Sequence, residues 1–598
     1  MTHTPGRLRL PWSAEDAAVA MLYVGLAVLV TAGLWGSAAT ADNPRDHAWF
    51  LFLFQNAAHA LTHGDNPLFT PLMGAPDGVN LMANTGLLGL TVPLIPVTLT
   101  AGPTVSYGLS ITVGLSATAT AWYVVLRRHV TANQGVAAAA GALGGFSPGI
   151  VGHAVGHPNF TAQFVLPFIV SAVIRLRSAT KPVRSGIALG LMIAYQILLN
   201  EELLFFTALA CLVMVVVFVA SRPRQALAEA KRFLIGLGVA VGVAVVVDAY
   251  PLWFQFFGPQ HYRGPFYWAP VWHLDLVSYP SYGFNAIAGW LGAASRFNND
   301  PDETNAFLGA PLCILALVAA VTLWRVLAVR IAAVLAAVFM VLSLGDKIQL
   351  RGVDTGVPGP WRQLRRLPFF DTVITSRLGL VVAPAVAVLL ACACDRLLAA
   401  TPGAPGAAPE PGETPADLAW RRPIVWGVLA ALLLPLFPTT VKITAAQNVP
   451  PFYTTGTWRD YVGSGTIVPI PPDPFSEPTL RALLATDLEP RFVDGYFIGP
   501  SAPDRPQARY GPPDRPTTSL LRGVATSGQV PAITDTLRAN LMADLRYWGA
   551  DCLVLAPTNH DDALRRTVAD LLGQPGRPVA GVWVWDVRAL VVDQARLP

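Results

Sequence analysis

Charge is scarce in this chain of 598 residues: Asp, Glu, Lys and Arg make up 13% of it, against 53% hydrophobic residues. Soluble domains carry about 25% charged residues, so the scarcity excludes that class. Apolar runs recur from residue 17 to 441, which makes the chain a polytopic membrane protein. Lysine is nearly missing, confined to Lys181, Lys231, Lys347 and Lys442. The arginines sit in short clusters between apolar spans, as orientation determinants do, which excludes a nucleic-acid surface despite the net charge of +4. Cysteine is sparse as well. Cys211, Cys313, Cys392 and Cys394 fall in apolar runs and Cys552 in the polar tail, so neither a disulfide framework nor a thiolate metal site follows. The tail also lacks a phosphate-cradling glycine loop, a nucleophile elbow and zinc spacing, which points to a recognition or lid role for it.

What is present is a series of runs long enough to cross a bilayer: 17–38, 104–126, 135–152, 159–176, 185–200, 203–221, 233–253, 308–324, 330–345, 378–396 and 423–441. Arg7 and Arg9 precede the first run and Ser37-Ala38-Ala39-Thr40-Ala41 follows it, as in a signal peptide. A run of about twenty residues exceeds the ~7–15 of a signal core, so the sequence predicts a retained helix. With the N-terminus in the cytoplasm, Arg127-Arg128, the Arg175–Arg184 cluster, the Arg222–Arg232 cluster, Arg325 with Arg330, and Arg421-Arg422 all fall on the inner side. The stretch Gly86 to Ala101 is broken by Pro93 and Pro96 and reads as re-entrant or interfacial. The expected architecture is about eleven transmembrane helices in a plasma membrane, the C-terminus being extracytoplasmic. Residues 1–400 form the bundle with outer loops 39–103, 254–307 and 346–377. Residues 401–418 form a flexible inner linker, 419–441 the last span and 442–598 a small α/β domain.

Chemistry is expected at the outer ends of spans, where lipid-linked substrates meet water. Asp42 and Asp46 follow the first span. A carboxylate partly desolvated there has its pKa raised toward the range of a general base. Capping of the next helix by Asp46 is the plain alternative. His153 and His157, four apart, suit a metal or a phosphate if helical, although Gly156 and Pro158 argue for a turn. Glu201 and Glu202 are adjacent, hence about 100° apart on a helix, so only one is expected to face a shared cleft. Arg263, Tyr267 and Trp268 lie in an aromatic, cationic loop suited to stacking a sugar and pairing with a phosphate. Arg377, at the outer start of the tenth span, is expected to hold a lipid phosphate or to snorkel. The residues leave the metal question open, a divalent ion included.

A first span followed by acidic residues, Gly64-Asp65-Asn66-Pro67-Leu68-Phe69, Pro76-Asp77-Gly78-Val79-Asn80-Leu81, a second span ending in Arg127-Arg128, and an outer C-terminal domain together resemble the GT-C superfamily of polytopic glycosyltransferases. The resemblance implies a polyprenyl-phosphate sugar donor, an aspartate base at Asp46 or Asp42, and transfer on the outer face to a glycan, lipid or protein. No Trp-Trp-Asp signature occurs, which disfavours a peptide asparagine acceptor. The alternative readings are a polysaccharide or lipid transporter or polymerase, and a noncatalytic envelope protein. The span centres are nearly free of charge and no internal repeat is seen, which favours surface chemistry over transport.

Overall fold

The computed structural model describes residues 12–36, 38–265, 272–295, 303, 306–399, 421–502 and 504–592. Seven of its helices are long and apolar enough to cross a membrane: Ala14–Thr31, Pro103–His129, Gln134–Val155, Pro158–Leu176, Glu201–Ser221, Pro223–Val247 and Thr375–Leu398. Shorter helices, Pro182–Ile197, Ala310–Thr322, Leu327–Leu342 and Arg422–Leu436, overlie the remaining predicted spans. Between Leu88 and Ala101 the chain forms only two short helices, Leu88–Thr91 and Ile95–Ala101, with Pro93 between them. At 1.5 Å per residue neither reaches across a bilayer. The predicted inner linker 401–418 lies outside the described residues.

The helix Pro44–His63 follows the first predicted span. An amphipathic interfacial helix would leave one face open, yet Ala48, Trp49, Phe50, Leu51, Phe52, Leu53 and Phe54 are all buried. A helix apolar all round must be covered all round. The spanning helix Pro103–His129 covers one side, and Glu477–Ala485, from the C-terminal part of the chain, covers another.

That C-terminal part contains a five-stranded sheet in the order Arg577–Val579, Val582–Asp586, Ala550–Leu555, Thr466–Pro469, Arg491–Phe492. The first two pairings are antiparallel and the last two parallel. Helices Pro516–Ser527, Asp535–Trp548 and Asp561–Leu572 supply Leu521, Leu545 and Leu564, which are fully buried with Val468, Leu553 and Trp585 of the strands. Each such side chain contributes about 1.5–3 kcal/mol on leaving water.

Three backbone pairings fasten this unit to the stretch 39–103 and to the loop after the seventh predicted span. Ala39–Thr40 pairs antiparallel with Ile443–Thr444. Gly74 N–H donates to the Asp494 carbonyl at 3.1 Å. The Arg263 N–H donates to the Pro506 carbonyl at 2.6 Å, and the Ala508 N–H to the Arg263 carbonyl at 3.0 Å.

Candidate functional site

Asn43, not Asp46, caps the helix Pro44–His63: its side chain accepts from the Asp46 N–H at 3.2 Å, and Pro44 occupies the first turn, where its missing N–H costs nothing. Asp46 therefore stands at the third position of the first turn, free to turn its carboxylate toward neighbours. Its Oδ2 accepts from Asn43 Nδ2 at 2.6 Å and lies 3.1 Å from His157 Nε2; its Oδ1 accepts from the Tyr496 hydroxyl at 2.6 Å. The side chain is 17% exposed. Gly156 lets the segments come this close, because a Cβ there would stand 3.1 Å from the Asp46 Cβ and 3.2 Å from Asn43 Nδ2.

The sequence predicts a raised pKa for this carboxylate, and the structure reverses the sign. Burial does push it up, but His157, Tyr496 and Asn43 together outweigh burial and hold it below the ordinary value of 3.8. Asp46 is thus an ionised acceptor. Tyr496 is pushed well above 10, first by burial and then by the Asp46 charge, so it remains the donor of the pair. Asp42 does not join them: its side chain is exposed and has no partner among the described residues.

His153 and His157 are not on one helical face. A short 3-10 turn, His153–Val155, ends at Gly156, and His157 begins the next helix, Pro158–Thr161. Their Nδ1 atoms still lie 3.4 Å apart. Among the described residues no group of three or more His, Cys, Asp or Glu is arranged to hold a metal ion.

Phe160 joins this pair to a second cluster. Its ring lies 4.6 Å from His153 and 5.9 Å from His157, and the Arg377 guanidinium sits 4.4 Å above it. Arg377 is not open to a phosphate as expected, because two carboxylates hold it. Its Nη1 donates to Glu202 at 2.7 Å, while Nε and Nη2 fork onto Glu303, Nε at 2.9 Å from Oε2. Glu201 accepts from Gln255 Nε2 at 2.9 Å. Both glutamates line one cavity of about 200 Å³, contrary to the helical-wheel expectation, because Glu201 and Glu202 open a helix whose first turn forms the cavity wall. Arg263 is exposed and serves through its backbone. Tyr267 and Trp268 lie outside the described residues.

Sequence reasoning missed Tyr496, Asn43, Phe160 and Glu303. Asn43 carries a local signal, an Asn before Pro at a helix start. Tyr496 and Glu303 carry none, since their partners lie far along the chain.

No family model and no curated protein matches the sequence. Solved structures do. The arabinofuranosyltransferase AftD of mycobacteria superposes with a TM-score of 0.55 at 14% identity, over 96% of this chain and 40% of its own. The archaeal oligosaccharyltransferase AglB of Archaeoglobus fulgidus, solved with an inhibitory peptide and a dolichol-phosphate, superposes at 0.51 and 12% identity, over 91% of this chain and 69% of its own. The chain has the GT-C fold. The GT-C likeness runs over almost the whole chain, bundle and C-terminal unit together, while the chain spans well under half of the mycobacterial protein.

Proposed function

We propose that the protein is a membrane glycosyltransferase that moves a sugar from a polyprenyl-phosphate donor to a glycan, lipid or protein acceptor on the extracytoplasmic face. The observation that carries the reading is Asp46: an ionised carboxylate at the outer end of the first span, gripped by His157 and Tyr496 in a GT-C fold. In the step proposed, the acceptor hydroxyl oxygen bonds to the anomeric carbon. The bond from that carbon to the phosphate oxygen breaks, its electrons leave with the phosphate, and Asp46 takes the hydroxyl proton. His157 and Tyr496 keep the carboxylate turned toward that hydroxyl.

A lipid-linked donor is supported by two features. A cavity of about 650 Å³ runs between the spanning helices, walled by apolar side chains such as Val173, Phe206, Val215, Leu335 and Leu380, with room for a prenyl tail. AglB was solved with a dolichol-phosphate, a polyprenyl lipid of the proposed kind. The side of action follows from the one-sided arginine clusters.

Purified protein in nanodiscs, given polyprenyl-phosphate sugars, is expected to release polyprenyl phosphate and glycosylate an acceptor. Transfer from a nucleotide sugar alone overturns the proposal, and inertness toward every donor leaves the noncatalytic reading standing in its place.

A further inference from the structure

The helix Glu201–Ser221 separates two sets of cations. Arg222 and Arg224 follow its last residue, and Arg330 and Arg177 reach the same end through Ser221 and Glu229. At its other end the Ile374 N–H donates to Glu202 Oε1, in the first turn, at 3.3 Å. The stretch 346–371 therefore lies at the end that holds Asp46, and it carries Lys347, Arg351, Arg362, Arg365 and Arg366 against Asp346, Asp354 and Asp371. Lys347 pairs with Asp354 at 3.3 Å, and Arg365 pairs with Asp346. Arg351, Arg362 and Arg366 are exposed and make no ion pair with a described residue. Orientation in the membrane does not account for them, because the cations that set it are those at the opposite end.

Apolar side chains are interleaved with these cations. Leu350, Val353, Val357, Leu367 and Phe369 are all exposed, Val353 by 67% and Phe369 by 68%. Scattered singly, such residues need no explanation; five within twenty residues of chain, set among unpaired arginines, make a surface that is basic and apolar at once. The strands Lys347–Leu350 and Val353–Pro358 pair antiparallel around Arg351 and Gly352, both at positive φ, so one hairpin tip carries Leu350, Arg351 and Val353.

The depth of this surface follows from its contacts with the helices. The Leu274 N–H donates to the carbonyl of Ser343, just past the helix Leu327–Leu342, at 2.9 Å, and the Leu276 N–H donates to the Gln349 carbonyl at 3.0 Å. At ~3.3 Å per residue the hairpin then stands about 7 Å beyond that helix end, within a headgroup layer of about 5–8 Å. The Phe370 ring meets Phe205 with centroids 5.0 Å apart and the buried Trp361 at 5.6 Å. Phe205 lies about 6 Å inside the helix Glu201–Ser221, so Phe370 reaches acyl depth. Its neighbour Phe369 takes φ +70°, which bulky residues rarely adopt, and keeps its ring outside the protein.

We propose that residues 347–370 form a docking surface for anionic phospholipid headgroups of the leaflet that faces Asp46. Arg351, Arg362 and Arg366 pair with the headgroup phosphates, while Leu350, Val353, Leu367 and Phe369 enter the acyl boundary. A soluble polyanion would meet the arginines and leave the apolar side chains in water. A zwitterionic surface would take the apolar side chains and offer the arginines no net charge. The inference stands apart from the transferase reading.

Full-length protein is placed in nanodiscs of dioleoylphosphatidylcholine and in nanodiscs of an equal mixture with dioleoylphosphatidylglycerol, and amide hydrogen exchange over 347–370 is followed by mass spectrometry. An arginine near an anionic surface is worth about fivefold in affinity, so exchange is expected to slow at least about fivefold in the anionic discs and to recover at ~0.5 M salt. A variant carrying Arg351→Gln, Arg362→Gln and Arg366→Gln removes no ion pair among the described residues. It is expected to exchange within about twofold of one rate in both discs, with an unchanged thermal midpoint. Variant and wild type share the surface pH of the anionic discs, so the comparison separates contact from the general slowing that such a bilayer imposes. Phe369→Asn keeps the left-handed backbone without the ring and is expected to lose about half of the slowing. The proposal falls if wild type exchanges alike in both discs or if either variant keeps the full slowing. It also falls if long-chain polyphosphate protects the loop equally in phosphatidylcholine discs, which assigns the surface to a soluble polymer. Equal protection by a few per cent of farnesyl phosphate in those discs overturns it in favour of a site for the lipid-linked donor.

Discussion

The Tyr496 hydroxyl donates to Asp46 Oδ1 across 2.6 Å, although 450 residues separate the two in the chain. The contact carries the C-terminal unit into the site, because one of the Asp46 oxygens is held by Asn43 and His157 and the other by a residue of the tail. Asp46→Asn keeps the shape and removes proton acceptance, so transfer is expected to fall by ~10²–10⁴ in a nanodisc assay with the protein still folded. Near wild-type transfer would move the base elsewhere.

Tyr496→Phe removes one donor from a charged acceptor, a bond of about 1.5–3 kcal/mol. Asp46 is held below 3.8, so its ionised form prevails above that value and is lost only as pH falls through the lowered one. The wild-type acid limb due to Asp46 is therefore expected below about pH 4, and in Tyr496→Phe it is expected to move up. Rates measured from pH 3.5 to 7 check this, an unmoved limb counting against the contact.

Arg377 gives the opposite expectation from a phosphate ligand. Arg377→Gln leaves Glu202 and Glu303 without their cation in a site only 22% and 5% exposed. Breaking such a pair costs about 3–5 kcal/mol, so a lower thermal midpoint is expected before any change in donor use. Adding Glu303→Gln is expected to restore part of the loss. A variant of full stability but weakened donor binding would return Arg377 to the phosphate role.

Asp494 sets a pH dependence on the C-terminal unit. Burial raises its carboxyl to about 7, despite the Thr479 hydroxyl at 2.7 Å and the Asp473 N–H at 3.1 Å. The folded state then holds a proton that the unfolded chain releases near pH 4, so stability falls as pH rises from about 4 to about 7 and is level beyond. Thermal melts at pH 5 and pH 8 are expected to differ by several degrees in wild type and by much less in Asp494→Asn.

A reporter placed in the 529–531 loop of the C-terminal unit is expected to read extracytoplasmic, and one placed in the 401–418 linker cytoplasmic, from the arginine clusters. A cytoplasmic reading in the loop would remove the outer-face assignment.

The helices were legible because apolar runs of spanning length carry their own signal, and Asp46 and His157 were legible because both end such runs. Their surroundings were not. Asp46 is tuned by Tyr496, whose position no local pattern announces, and that contact reverses the pKa direction expected from burial alone. Arg377 looked like a free outer cation because Glu303 lies in a polar loop far from it in sequence. Glu201 and Glu202 were separated by helical periodicity, yet the end of a helix exposes its first turn to the same space on more than one side.

The two-residue ribbon between Ala39–Thr40 and Ile443–Thr444 fixes an order of events in biogenesis. At synthesis rates of ~5–20 residues per second, roughly 400 residues between its strands correspond to some 20–80 s during which Ala39–Thr40 has been made and has no partner strand. The site is therefore completed late, after the last span has been inserted. A ribosome that stalls before that point leaves behind a bundle whose carboxylate has not met its tyrosine, so in a prematurely terminated chain Asp46 lacks the Tyr496 hydrogen bond however well its membrane part has folded.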